Sequence, residues 1–190
     1  PQTCKNHIFL IWSENEEVEE KKINYTASNR PCASDITRGY LIADDGNNRY
    51  EANRINVDFD SLSRKDRIEI IIQKQSTTPP ALIRRNILYK NNIKWDSSLR
   101  MGEDTIFLCE VLSMAKNIVY VDHPTYIYNK KINEEASSTQ SYGSRELKNH
   151  LTVWQTAQEK LAKQGVDYYT ARLQVGLQTA IQSMITYNRF

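Results

Sequence analysis

Short apolar runs separated by polar turns fill the first third of the chain, whereas helical periods dominate the last third. The runs His7-Ile-Phe-Leu-Ile-Trp12 and Gly39-Tyr-Leu-Ile-Ala43 predict strands joined by loops up to about Asp60. From Ser61 to Gln75, Leu62, Ile68, Ile71 and Ile72 fit a helix packed on one side, which Pro79-Pro80 then closes off. Ala81 to Asn91 reads as a second short helix, with Asn91-Asn92 as its stop. A third helix is predicted from Glu103 to Lys116, where Ile106, Phe107, Val111, Leu112 and Met114 form a broad apolar face.

Two strands are expected next, Asn117-Ile-Val-Tyr-Val-Asp122 and Thr125-Tyr-Ile-Tyr-Asn129, with His123-Pro124 as the corner between them, since proline cannot donate to a ladder. A small polar loop runs from Glu134 to Gly143. Ser144 to Gln164 and Asp167 to Asn188 then read as helices separated by Gly165. Leu147, Leu151, Trp154, Ala157 and Leu161 repeat with a helical period, as do Leu173, Leu177, Ile181 and Ile185, so the two helices are expected to pack on each other as a hairpin. The expected class is α/β: residues 1–143 as one portion and residues 144–190 as a C-terminal helical extension.

Composition narrows the function classes. The 190 residues, 39% hydrophobic and 25% charged, can bury a sizeable core. No run reaches the roughly 18 apolar residues of a membrane span, and Pro1 to Ser13 lacks the features of a signal peptide, so a cytoplasmic setting is expected. Cys4, Cys32 and Cys109 are odd in number and widely spaced, which fits free thiols better than a disulfide framework or a zinc site. A net charge of +2 is too small to imply nucleic acid. Arg84, Arg85 and Lys90, with Lys130 and Lys131, are candidates for local anion-binding patches, so sugar phosphates or lipid head groups, and with them peripheral membrane contact, stay open as partners.

The stretch Met101-Gly-Glu-Asp-Thr-Ile-Phe-Leu-Cys-Glu110 puts two acids at a helix start. Such acids are favoured there by the exposed N–H groups and the helix dipole, by about 0.3–1 kcal/mol each, so a purely structural role is one reading. The other reading is chemical. The segments Leu82-Ile-Arg-Arg-Asn-Ile-Leu-Tyr-Lys-Asn-Asn-Ile-Lys-Trp95, Met101-Gly-Glu-Asp-Thr-Ile-Phe-Leu and Ala115-Lys-Asn-Ile-Val-Tyr-Val-Asp-His-Pro-Thr-Tyr-Ile-Tyr128 resemble, in order and spacing, the second half of a bacterial family 2 glycosyltransferase of the GT-A type. The resemblance covers about Thr78 to Gly143, including a serine-bearing loop at Ala136-Ser137-Ser138-Thr139.

What the resemblance implies is inverting transfer of a sugar from a nucleotide-diphosphate donor to a saccharide or lipid-linked acceptor, in polysaccharide or surface-glycan synthesis. It puts Asp104 in the position of the base and leaves Glu103 to hold the acceptor or the helix start, with Tyr128, Lys130, Lys131, Ser137 and Ser138 as donor- or acceptor-binding candidates. A carboxylate is a weak base towards a resting alcohol, but the hydroxyl acidifies as the new bond forms, so a late proton transfer suffices. Placement at a helix start is expected to keep Asp104 ionised.

A complete enzyme of this kind would also hold magnesium or manganese on the diphosphate through aspartates, hard oxygen ligands that suit those ions. Ser13-Glu-Asn-Glu-Glu17, Asp44-Asp45-Gly46 and Asp58-Phe-Asp60 are weak matches. Asp45 and Asp58 are too close together for the intervening helix and strands, so a turn at Asp44-Asp45-Gly46 and a solvated loop at Asp58 to Asp60 are expected instead. His123 before proline reads as structural ahead of a metal or diphosphate contact. The chain is therefore expected to be an acceptor-side portion without the nucleotide-binding half, and to self-associate through the sheet or helices that half would cover. The competing class is a non-catalytic glycan- or protein-binding assembly module.

Overall fold

The computed structural model describes residues 7–9, 34–76, 79–99, 101–129 and 142–187. The sheet is organised around strand β2, Ile36–Asp44, in which Ile36, Leu41 and Ala43 are buried. One edge of β2 carries two antiparallel partners in tandem. Strand β4, Ala81–Arg84, lies along Ile36 to Arg38, and strand β3, Arg49–Ala52, along Leu41 to Asp44. Strand β1, His7–Phe9, extends the sheet beyond β4. The other edge of β2 pairs in parallel with β5, Ile118–Asn129, to give a small open α/β sheet with flanking helices.

β5 corrects the expected pair of strands. It runs without a corner through His123-Pro124, and Pro124 faces Tyr40 where the β2–β5 register shifts. The missing N–H of proline is accommodated at that irregularity. Gly39 permits the close approach: a Cβ there would lie 2.5 Å from the His123 carbonyl oxygen. The expected helix from Ala81 is also shorter, because its first four residues are β4 and only Arg85–Lys90 forms α2. Ala81 and Ile83 are buried while Leu82 and Arg84 are half-buried, and pairing with both β1 and β2 overrides the local helical pattern.

Helix α1, Arg64–Gln73, starts at Ser63, whose Oγ accepts from the Asp66 N–H, and buries Ile68, Ile71 and Ile72. Helix α3, Glu103–Met114, buries Ile106 to Cys109 with Val111 and Leu112, and Trp95 stacks on its Phe107 at 4.5 Å. Helix α4, Ser144–Ala162, packs along α3 through Val153, Trp154, Ala157 and Leu161. Arg64 joins the three helices: its guanidinium donates to the Leu112 and Ala115 carbonyls at the end of α3 and, at 2.7 Å, to Gln164 Oε1 beyond α4. Those carbonyls are among the groups a helix end leaves without partners.

After a turn at Gly165, a π-helical segment, Tyr169–Leu173, leads into helix α5, Gln174–Tyr187. The large apolar residues expected to face α4 point outward: Leu177, Ile181 and Ile185 are 40%, 50% and 75% exposed. The inward face is small, because the indole of Trp154 fills the space at Gly176, where a Cβ would lie 2.9 Å from it, and Ala180 is buried in the core. Among the described residues no helix is long and apolar enough to cross a membrane.

Candidate functional site

The acid pair opens α3 from Gly102, which adopts φ 82°. A Cβ at Gly102 would lie 2.8 Å from a Val153 methyl, so the bend before the acids is seated directly on α4. Asp104 Oδ1 accepts from the Thr105 N–H at 2.7 Å. Both acids line a cleft of about 260 Å³. One wall is α3; the others come from Gln75 and Ser76 after α1, His150 and Trp154 on α4, and Arg172 and Gly176 on the C-terminal segment.

Burial acts on Asp104 more strongly than its hydrogen bonds at the helix start. It pushes the Asp104 carboxyl above the ordinary range, against the opposing pull of the Thr105 N–H and of the Arg172 charge. Burial raises Glu103 too, and the neighbouring Asp104 adds to the rise. The helix start is expected to keep Asp104 ionised, and burial opposes it; a desolvated carboxyl with a raised pKa is a stronger proton acceptor than an exposed one.

His150 and Arg172 also shape the cleft. His150 is clamped between the rings of Tyr142 and Trp154, at 5.4 and 5.5 Å, and its Nδ1 shares a 2.7 Å hydrogen bond with the Tyr142 hydroxyl. Burial lowers the His150 pKa, favouring the neutral ring, and pushes the Tyr142 phenol up to about 12. Arg172 leaves the π-helical segment to donate to the Gln73 carbonyl at 3.1 Å, and burial lowers its own pKa while Tyr168 and Asp104 oppose the shift. Such segments recur at functional sites because the extra residue re-aims the side chains around it. Neither His150 nor Arg172 was marked by a motif. They come from parts of the chain joined only by the packing of α4 and the C-terminal segment on α3, and only the period through Trp154 hinted at that face.

The remaining candidates fall elsewhere. Tyr128 lies near the end of β5, exposed and opposite Ala43, and is not among the cleft residues. Lys130, Lys131, Ser137 and Ser138 lie outside the described residues, as do Cys4 and Cys32. Cys109 is buried in α3, with its thiol pushed up to about 12, which suits a packing role. Arg84 donates to the Ser34 carbonyl, and Arg85 lies over the Tyr89 ring while donating to its hydroxyl.

The aspartates weighed as metal ligands are used locally. Asp44 accepts from the Gly46 N–H and from Arg49, and Asp45 from the Asn47 and Asn48 N–H groups, which makes Asp44-Asp45-Gly46 the turn of the β2–β3 hairpin. Among the described residues no three His, Cys, Asp or Glu side chains come together as a metal site. The described part of the chain therefore does not fit the magnesium or manganese that the resemblance implies.

No protein-family model matches the chain, and no curated protein matches it. Its fold is similar to that of residues 1–349 of S. aureus TarS in complex with UDP-GlcNAc, with 16% identity, a TM-score of 0.44, and coverage of 81% of this chain and 48% of that one. A second structure of TarS 1–349 gives 13% identity, a TM-score of 0.40, and coverage of 82% and 58%. The chain thus spans about half the length of the TarS chains it superposes on. At these identities and scores the likeness transfers no activity.

Proposed function

We propose that this chain is the acceptor-side portion of an inverting glycosyltransferase of the GT-A, family 2 kind, moving a sugar from a nucleotide-diphosphate donor to a saccharide or lipid-linked acceptor in polysaccharide or surface-glycan synthesis. The observation that carries the reading is the desolvated Asp104 carboxyl at the head of α3, lining a cleft beside Glu103. In the reaction an acceptor hydroxyl attacks the anomeric carbon, the bond to the diphosphate breaks on the opposite face, and Asp104 takes the hydroxyl proton as the new bond forms. Glu103, next to Asp104, and His150 line the same cleft and orient the acceptor. A divalent metal, when bound by the donor-binding part of such an enzyme, would neutralise charge on the departing diphosphate.

The test is transfer by protein that includes the donor-binding portion. Asp104→Asn keeps shape and removes the basic carboxylate, so transfer falls roughly a hundredfold or more while donor binding stays unchanged. Near-normal transfer by that variant would remove Asp104 from the base role. Glu103→Gln raises the acceptor KM more than it lowers kcat. For this chain alone, calorimetry with nucleotide sugars and manganese gives no saturable heat.

The second reading, a non-catalytic assembly module, is favoured by one observation, the outward stripe of Leu177, Ile181 and Ile185 on α5. The stripe equally serves self-association of a transferase or its contact with a membrane surface. Transfer by the full protein excludes the non-catalytic reading.

A further inference from the structure

Tyr142 is 2% exposed, and the hydrogen bond of its hydroxyl among the described residues is the 2.7 Å contact with His150 Nδ1. Two arrangements of protons fit that contact. In the first, Nδ1 carries the imidazole proton and donates to the phenol oxygen, which leaves the phenolic O–H as a buried donor with no acceptor. In the second, the phenol donates to a bare Nδ1, and the imidazole carries its proton on Nε2. An orphaned buried donor costs its full desolvation penalty. The raised Tyr142 pKa keeps the phenol protonated at neutral pH, and the lowered His150 pKa disfavours a ring with protons on both nitrogens. The second arrangement is the one in which every buried donor of the pair is satisfied, and the partner of one ring nitrogen decides which of the two is protonated.

Nε2 is the free end of the ring. It has no hydrogen-bond partner among the described residues, yet it is not one of the buried side-chain atoms left without a partner, so it is open to solvent. His150 lines the cleft of Asp104, whereas Tyr142 does not. The ring thus gives its Nδ1 to the buried phenol behind the wall and keeps its Nε2 free, held in place by the Tyr142 and Trp154 rings on either side. The groups lining the cleft then divide by kind: the ionised carboxylates of Glu103 and Asp104 can only accept, and an Nε2–H can only donate. A neutral molecule rich in hydroxyls matches such a set, because each hydroxyl both donates and accepts.

We infer that the Nε2–H of His150 donates to a hydroxyl oxygen of a neutral saccharide in the cleft, and that Tyr142 is the positioning residue that fixes this tautomer. Calling that saccharide the acceptor rests on the transferase reading, whereas the tautomer and the binding do not. In the transfer, the attacking oxygen gives its proton to Asp104 and its lone pair to the anomeric carbon, so the oxygen held by His150 is a different one of the same molecule, and the contact fixes its orientation.

The test is nuclear magnetic resonance of the whole chain, read at the ring nitrogens of His150. At neutral pH, Nε2 resonates as the protonated nitrogen and Nδ1 as the bare one, and in Tyr142→Phe the Nδ1-protonated form becomes detectable; a purely structural role for Tyr142 would lower stability without moving the tautomer. Methyl glucoside, an uncharged pyranoside, shifts the Nε2–H resonance saturably. His150→Asn keeps an acceptor for the Tyr142 hydroxyl near the place of Nδ1 and removes the donor at Nε2. It weakens glucoside binding, followed at the backbone amides of Glu103 and Asp104, by roughly three- to tenfold, the effect of one neutral hydrogen bond. A proton on Nδ1 in the wild type, an unchanged tautomer in Tyr142→Phe, no saturable shift with the glucoside, or unchanged affinity in His150→Asn overturns the inference. Near-normal transfer by Asp104→Asn, the result that removes the base assignment, moves none of these readings, so the two can fail separately.

Discussion

Gly102 and Val153 are in contact across the α3–α4 boundary so closely that the glycine has no room for a side chain: a Cβ would meet both Val153 methyl groups within 3 Å. The same residue holds φ 82°, a conformation that only glycine adopts without cost. The acids at 103 and 104 are aimed by this single bend.

Gly102→Ala is therefore expected to destabilise the fold by about 1–3 kcal/mol, from backbone strain and overlap together. Urea denaturation measures it. Pairing it with Val153→Ala recovers part of the loss, since overlap is relieved and strain is not; a neutral Gly102→Ala would contradict the geometry.

Asp104 makes stability depend on pH in the sense opposite to a salt-bridged carboxylate. Its folded pKa is raised above the ordinary 3.8, so between the two values the folded protein keeps a proton that the unfolded chain has released. Stability from this group is present below the unfolded pKa and is lost as pH rises through the folded one. Asp104→Asn is expected to raise Tm at pH 7, with the gain disappearing below about pH 4. A Tm lowered at pH 7 would show that Arg172 outweighs burial.

Arg64 closes the end of α3 opposite the acids, donating to backbone carbonyls at 112, 113 and 115. Arg64→Ala is expected to cost about 2–3 kcal/mol, because a charge-assisted set of hydrogen bonds is lost. Arg64→Lys restores little, since an ammonium cannot span carbonyls that the planar fork reaches together. Thermal unfolding of the two variants makes the comparison; full rescue by lysine would reduce Arg64 to a simple charge.

The outward face of α5 predicts self-association at micromolar concentration, visible as a dimeric or larger mass in light scattering. Ile181→Lys with Ile185→Lys is expected to return the chain to a monomer without loss of helix content. A wild-type chain that stays monomeric at high concentration would show that the stripe does not mediate self-association.

What the sequence made legible followed strong local patterns. The acid pair at the head of α3 and the long period of α4 could be read because each is decided within a few turns. β4 was hidden because its alternation spans only four residues and is fixed by strands distant in sequence. On α5 the period was visible but its orientation was not: the bulk of Trp154 selects Gly176 for the inner face, Ala180 one turn on is buried with it, and nothing in α5 itself shows that indole. The cleft was half legible for the same reason, with Glu103 and Asp104 marked by position, but His150, Arg172 and Gln75 brought to them only by tertiary packing.

The parallel pairing of β2 with β5 has a consequence for the nascent chain. Asp35, just before β2, accepts from the Asn117 N–H just before β5, a contact that spans 82 residues. At about 5–20 residues per second, a ribosome leaves that edge of β2 without its partner for roughly 4–16 s. Throughout that interval a strand carrying Ile36, Leu41 and Ala43 offers open backbone groups to any neighbouring chain. The cation at Arg38, which the finished fold must bury, is a charge in the middle of β2 that opposes such pairing until β5 is made.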